Sequence, residues 1–155
     1  WAGSVFSKYC QDVLRRCGCE WIYAVTTVLA NGVFDLLHWG HVMHLQEAKS
    51  MGDWLVVSIT ADAFVYKEGR PIYPELERME IVKALRCVDE VLIVRGLQDA
   101  LRKVQPDILV KGSDYQQGID SSDREYCERN GIHVRITATP KYSTTETINE
   151  IRRRS

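Results

Sequence analysis

The sequence predicts an α/β protein with an open parallel five-stranded sheet and helices on both faces. Apolar runs alternate with stretches of helical periodicity, as in repeated strand–helix–strand units. The run 54–60 is apolar almost throughout, which is typical of a parallel strand covered on both faces. A glycine-containing loop follows the first apolar run and leads directly into a helix. That order is the layout of a phosphate site in a sheet of this kind.

Length and composition indicate a single domain of ordinary type. The chain has 155 residues, enough to bury a core. Its formal charge of −1 gives no electrostatic reason to bind nucleic acid or a membrane. The five cysteines form no CxxC pair, so neither zinc nor a disulfide framework is indicated. With no apolar run of transmembrane length, we expect a cytoplasmic protein with reduced thiols.

The elements follow from the apolar periodicity of the chain. Residues 1–22 are expected to form a helical extension, and residues 23–155 form the main domain. The expected strands are 23–30, 54–60, 88–94, 107–110 and 132–136. The expected helices are 40–50, 75–86, 97–104, 123–130 and a last helix that opens at 142–146. The helical spacing over 75–86 predicts an apolar face formed by Leu76, Met79, Val82 and Leu85.

The loop after the first strand carries the strongest functional signal. It reads Ala-Asn-Gly-Val-Phe-Asp-Leu-Leu-His-Trp-Gly-His over residues 30–41. Gly40 lets a ligand approach the backbone where a Cβ would collide, and a helix that begins there offers unpaired N–H groups and a positive dipole end. His38 and His41 add two side-chain donors. The loop therefore predicts a cradle for the triphosphate of a nucleotide.

Two other interpretations of this loop compete with the cradle. Asn31 and Gly32 could form a hairpin turn, but the helical pattern that follows argues against a second paired strand. The histidines His38, His41 and His44 could bind a metal, but no carboxylate or thiolate stands at a ligand-like spacing. In the cradle, His44 is a helix-face residue, and Phe34 and Leu36 belong to the core.

The stretch NGVFDLLHWGH resembles the HxGH signature of the cytidylyltransferase-like nucleotidyltransferases, and the similarity runs from about residue 28 to residue 151. Two groups of that superfamily are similar: the glycerol-3-phosphate cytidylyltransferases and the heptose 1-phosphate adenylyltransferase domain. The resemblance implies a Rossmann-like HxGH nucleotidyltransferase domain over residues 23–155. It also implies that His38 and His41 are catalytic.

Two later segments are expected to reach the same phosphates. Ser143 and Glu146 form a capping box, a sufficient structural explanation, but the run Ser143-Thr144-Thr145 also resembles the family's second phosphate-binding element. The stretch PDILVKGSDY resembles the heptose-type enzymes and places Lys111, Gly112 and Asp114 after the fourth strand. Ligands bind outside the carboxyl ends of such strands. The alternative is a turn with a solvated lysine.

The region before and within the third helix supplies further candidates. In the resembled families a lysine near residue 67 reaches substrate or triphosphate, which implies a catalytic role for Lys67; a mobile surface loop is the other interpretation. Arg70 is a second candidate for the same role. Arg78 either contacts substrate phosphate or a dimer partner, or it is solvated. Asp35 either orients a histidine or braces its loop.

The resemblance implies transfer of a nucleoside monophosphate to a phosphorylated sugar or polyol, with pyrophosphate as the leaving group. ATP with a heptose 1-phosphate-like acceptor is the main expectation. CTP with glycerol 3-phosphate is the alternative, and a non-catalytic nucleotide-binding module is the second. Mg²⁺ is expected, held mainly by the nucleotide and by no protein side chain. The expected partners are the nucleotide and the acceptor, with neither nucleic acid nor membrane, and a homodimer stays open. The predicted nucleotide-binding residues are Asn31, Gly32, Val33, Phe34, His38, Gly40, His41, Lys111, Gly112, Asp114, Ser143, Thr144 and Thr145.

Overall fold

The computed structural model describes residues 25–66, 69–113, 120–140 and 144–154. The predicted helical extension and the site residues Lys67, Asp114 and Ser143 lie outside these described residues. The strands are β1 Thr27–Gly32, β2 Trp54–Thr60, β3 Glu90–Val94, β4 Ile108–Lys111 and β5 His133–Ile136. The helices are α1 Trp39–Lys49, α2 Glu75–Lys83, α3 Leu97–Val104, α4 Ser121–Arg129 and α5 Thr144–Arg154. A turn of 3₁₀ helix, Asp62–Phe64, follows β2.

The five strands form one parallel sheet in the order β3-β2-β1-β4-β5. From β1 the chain builds outward through β2 to β3, and it then returns to place β4 on the other side of β1. The direction of winding therefore changes between β1 and β4. In open α/β sheets the crevice at this switch point is where ligands bind. The predicted five-stranded parallel sheet is confirmed.

Each face of the sheet packs against its own pair of helices, so the predicted helices on both faces are confirmed. Alternate residues of β1 point to opposite sides: Val28 and Ala30 belong to one buried cluster and Leu29 to the other. The first cluster takes in side chains of α1 and α2, namely Leu45, Ala48 and Val82. The second takes in side chains of α3 and α4, namely Ala100, Leu101 and Cys127.

Several element ends and two core predictions differ from the expectation. β1 continues to Gly32, and α2 ends at Lys83 rather than residue 86. Leu76 is 61% exposed, so its predicted place on the apolar face of α2 was wrong. The buried face of α2 instead carries Arg78 and Val82, four residues apart and hence on one side of the helix. Leu36 is only partly buried, whereas Phe34 is in the core.

Candidate active site

Three hydrogen-bonded polar side chains form a row across the carboxyl ends of three neighbouring strands. Lys111 ends β4, and its Nζ donates to Asn31 Oδ1 at the end of β1 (3.2 Å). The amide of Asn31 donates in turn to Ser58 Oγ on β2 (3.0 Å). Lys111 is only 3% exposed, so the alternative of a solvated lysine was wrong. This row places the buried positive charge of Lys111 beside the switch point, where an anion would interact strongly with it.

The loop after β1 has an unusual backbone. Phe34 has φ 51° and Leu36 has φ 48°, and side chains other than glycine rarely adopt this left-handed region. Such residues persist where the surroundings over-determine them, often at functional sites. Here the Phe34 ring is buried and meets the His41 ring edge to face, with centroids 5.4 Å apart. The loop is therefore tied to the start of α1.

Asp35 braces this loop against the segment that precedes α2. Its buried carboxylate accepts from the backbone N–H groups of Ile72 (2.9 Å) and Tyr73 (3.1 Å) and from the Arg70 guanidinium. Burial raises the pKa of Asp35, but these hydrogen bonds outweigh it and the pKa lies below its usual value. The carboxylate is therefore ionised and paired with Arg70, which is a candidate substrate residue by sequence.

Arg78 holds three backbone segments together. It is fully buried, so the solvated alternative was wrong. Its guanidinium donates to the carbonyl oxygens of Val33 after β1, Thr60 at the end of β2 (2.9 Å) and Tyr73 before α2 (3.0 Å). It also pairs with Asp62 Oδ1 (2.6 Å). These contacts make Arg78 an organiser of the loops around the crevice.

The two histidines stack at the beginning of α1. Their ring centroids are 3.8 Å apart with an interplanar angle of 19°. His38 is the N-cap residue in an extended conformation, and its backbone N–H donates to Nδ1 of His41 (3.4 Å). In a neutral His41 the proton therefore resides on Nε2. Gly40 is buried in the first turn between them.

Both histidines are neutral at physiological pH. Burial, followed by the charges of His38, His44 and Arg70, lowers the pKa of His41 to about 4. Burial and then the Arg70 charge lower the pKa of His38 as well. A neutral imidazole with a fixed tautomer can donate a hydrogen bond to a phosphate oxygen without first having to acquire a proton.

The second predicted phosphate-binding segment lies against the histidine loop. Thr144 begins α5, and its hydroxyl donates to the carbonyl oxygen of Asp35 (3.2 Å). Thr145 follows in the first turn and is partly buried. Gly112 follows β4 at the same edge of the sheet. The start of α5 thus contacts the histidine loop, and the end of β4 lies beside β1 at the same edge of the sheet.

Sequence reasoning missed Ser58, Asp62 and Thr60 as members of this site. Ser58 and Thr60 stand in a run that is otherwise apolar, and that exception was the available signal.

Among the described residues no cluster of three or more His, Cys, Asp or Glu side chains is placed to hold a metal ion. No helix in the described part of the chain is long and apolar enough to cross a membrane.

The fold, the switch-point crevice and the paired histidines define the class: a nucleotidyltransferase of the HxGH type. The model of the family described as Cytidylyltransferase-like matches residues 29–151, and the chain belongs to that family.

Relatives with two different names share this domain. The chain is 38% identical over 118 residues to an FAD synthase of Methanosarcina acetivorans, covering 75% of this chain and 78% of that protein. It is 44% identical over 117 residues to the bifunctional protein HldE of Citrifermentans bemidjiense, covering 70% of this chain but only 23% of that protein. The crystal structure of a lipopolysaccharide core biosynthesis protein from Thermoplasma volcanium superimposes with a TM-score of 0.63 at 33% identity, covering 77% of this chain and all of that one.

Proposed function

We propose that the protein transfers AMP from ATP to a phosphorylated small molecule and releases pyrophosphate, with a heptose 1-phosphate-like sugar as the acceptor. The observation that carries the proposal is the hydrogen bond from Thr144 to the Asp35 carbonyl. It brings the start of α5 to the loop that leads into His38 and His41, so two helix N-termini serve one polyanion. The resemblance of the stretch PDILVKGSDY to the heptose 1-phosphate adenylyltransferases supports this acceptor.

The reaction needs little from the protein beyond positioning. An acceptor phosphate oxygen attacks the α-phosphorus in line, a P–O bond forms, and the bond to pyrophosphate breaks. The acceptor is already an anion, so no strong general base is required. His38 and His41 donate to the charge that develops on the phosphate oxygens, and the start of α5 holds the polyphosphate from the opposite side. Lys111 and Lys67 supply positive charge.

Mg²⁺ fits this site as an ion held mainly by the nucleotide. The one carboxylate in the histidine loop, Asp35, is already engaged by Arg70 and two backbone N–H groups. When bound, the ion would neutralise negative charge on the phosphates and on the leaving group.

A second acceptor, FMN, is favoured by one observation. The match to the FAD synthase covers most of both chains. FAD is FMN whose phosphate is joined to AMP, so the bond that forms is of the same kind as in an ADP-sugar. CTP with glycerol 3-phosphate and nucleotide binding without turnover are the remaining alternatives.

A pyrophosphate-release assay distinguishes these functions. ATP and CTP would each be combined with heptose 1-phosphate, other sugar 1-phosphates, FMN and glycerol 3-phosphate. Release with ATP and a sugar 1-phosphate alone would support the proposal. Release with ATP and FMN would move the protein to the second candidate. Tight nucleotide binding with no release from any pair would favour a non-catalytic module.

Replacing either histidine should nearly abolish turnover. We expect His38→Ala and His41→Ala to lower kcat by about 10²–10³-fold, because each removes a donor aimed at developing charge. Pyrophosphate release measures the loss, and circular dichroism checks the fold. His133→Ala is the matched control, since His133 is exposed on β5. Wild-type turnover in either site variant would refute the catalytic role.

A further inference from the structure

The helix that begins with the histidine pair also grips the segment that leads to α5. Glu47 lies in the last turns of α1. Its carboxylate accepts from the backbone N–H of Ala138 (2.8 Å), the backbone N–H of Thr139 (3.2 Å) and the Thr139 hydroxyl (2.9 Å). One side chain therefore satisfies three donors of the segment 137–140, which is the described part of the connection between β5 and α5.

Two further contacts hold the same segment. Nδ1 of His44, one helical turn before Glu47, lies 3.0 Å from the Thr137 hydroxyl. The Ser113 hydroxyl, just after β4, donates to the carbonyl oxygen of Thr139 (3.0 Å). Thr137 and Thr139 are buried. The segment 137–140 is thus clamped between α1 and the carboxyl end of β4 before the chain reaches α5.

Glu47 has no place in the reaction described above, and it lies near the opposite end of α1 from the histidine pair. A helix is stiff and rises about 1.5 Å per residue, so Glu47 sits roughly 13 Å along the axis from His38. We propose that Glu47 is a positioning residue that sets the spacing between the two phosphate-binding segments, the histidine loop at the start of α1 and the start of α5. This inference rests on the proposed function, because it assumes that both segments bind the same nucleotide.

The energetics of these contacts fit a positioning role. Burial raises the pKa of Glu47, but the hydrogen bonds from Ala138 and Thr139 outweigh it and hold the pKa below its usual value. The carboxylate is therefore ionised, and hydrogen bonds to a charged acceptor are stronger than neutral ones. By comparison, the bond from the Thr144 hydroxyl to the histidine loop is neutral and 3.2 Å long.

The test uses three variants and a control. Glu47→Ala removes all three acceptor contacts, Glu47→Gln keeps one acceptor oxygen, and Thr139→Val removes the hydroxyl bond alone. Glu128→Gln on α4 is the matched control, since Glu128 is exposed. Kd for ATP and for CTP would be measured by calorimetry, kcat and KM by pyrophosphate release, and the exchange of the amides of residues 138 and 139 by mass spectrometry.

We expect Glu47→Ala to raise the nucleotide Kd and to lower kcat/KM by roughly 10- to 100-fold, as small misplacements of binding groups do. Glu47→Gln and Thr139→Val should fall between it and the wild type, and amide exchange at 138 and 139 should rise in the same order. Wild-type Kd and kcat/KM in all three variants, even with a lowered Tm, would overturn the positioning role. Failure of the wild type itself to bind ATP or CTP would instead overturn the proposed function, and the inference with it.

Discussion

At the scale of single residues, the neutrality of His41 is the property on which the proposed chemistry depends. Its ring stacks on that of His38 with centroids 3.8 Å apart. Two positive charges at such a separation repel by about 4 kcal/mol at an effective dielectric constant of 20. Burial is the larger cause, and together with this repulsion it lowers the pKa of His41 to about 4. The site therefore keeps an uncharged donor ready at neutral pH.

Removing the positive charge of Arg70 should raise the pKa of both histidines. Arg70 is one of the charges that lower the pKa of His38 and of His41. Its loss would also leave the Asp35 carboxylate without its cationic partner, which favours imidazolium in the same direction. We expect Arg70→Gln to move the His41 titration above about 4, measured by ¹⁵N NMR of the imidazole nitrogens. Arg102→Gln, an exposed change on α3, is the control, and equal titration curves in the two variants would contradict the prediction.

The row formed by Lys111, Asn31 and Ser58 shows which part of a functional site can be predicted from a sequence. Asn31 and Lys111 were both expected near the nucleotide, because each stands where a strand ends. Their mutual hydrogen bond was not predictable, since they are 80 residues apart and the pairing of β1 with β4 depends on the strand order. The apolar run that contains Ser58 indicates only a strand. The position of a residue along its own strand follows from the local sequence. Its partner on the neighbouring strand depends on the strand order of the whole sheet.

At the scale of elements, α2 is held as much by a charged side chain as by apolar ones. Met79 and Val82 pack against the sheet as the spacing predicts. The position nearest the loops is taken by Arg78, which pattern reasoning counts as polar and therefore places outside. The wrong placement of Leu76 has the same cause. The strands were predicted better, because a parallel strand buried on both faces is a continuous apolar run.

Replacing Arg78 should destabilise the fold strongly. Arg78→Met would leave the carbonyl oxygens of Val33, Thr60 and Tyr73 without this donor, and an unsatisfied buried acceptor costs about 1–3 kcal/mol. We expect the free energy of unfolding to fall by roughly 3 kcal/mol or more, measured by urea denaturation. Arg102→Met makes the same chemical change at an exposed helix position and should stay within about 0.5 kcal/mol of the wild type. An unchanged urea midpoint in Arg78→Met would contradict the anchoring role.

At the scale of the whole molecule, four ionisable groups with lowered pKa values act in the same direction with pH. The pKa values of Asp35, Glu47, His38 and His41 are each lowered in the folded protein. A group with a lowered pKa binds fewer protons folded than unfolded, so the free energy of unfolding falls as pH falls through its window. The histidines act first, below pH 6.5, and the two carboxylates act only below about pH 4.5. The pKa shifts that keep His38 and His41 neutral at physiological pH therefore lower the free energy of unfolding at acid pH.

The contribution of His41 to this loss of stability can be measured separately. Its pKa is about 4 folded against 6.5 for a free histidine, so between these values the unfolded chain takes up a proton that the folded chain does not. We expect the free energy of unfolding to drop by about 2–3 kcal/mol from this group between pH 7.5 and 4.5. Urea titrations at several pH values measure the slope. His41→Gln removes this proton uptake and should flatten the plot of the free energy of unfolding against pH over this window. His133→Gln, at an exposed position on β5 with no role in the crevice, should leave the slope unchanged. A His41→Gln curve as steep as that of the wild type would show that the loss of stability between pH 6.5 and 4.5 arises elsewhere in the molecule.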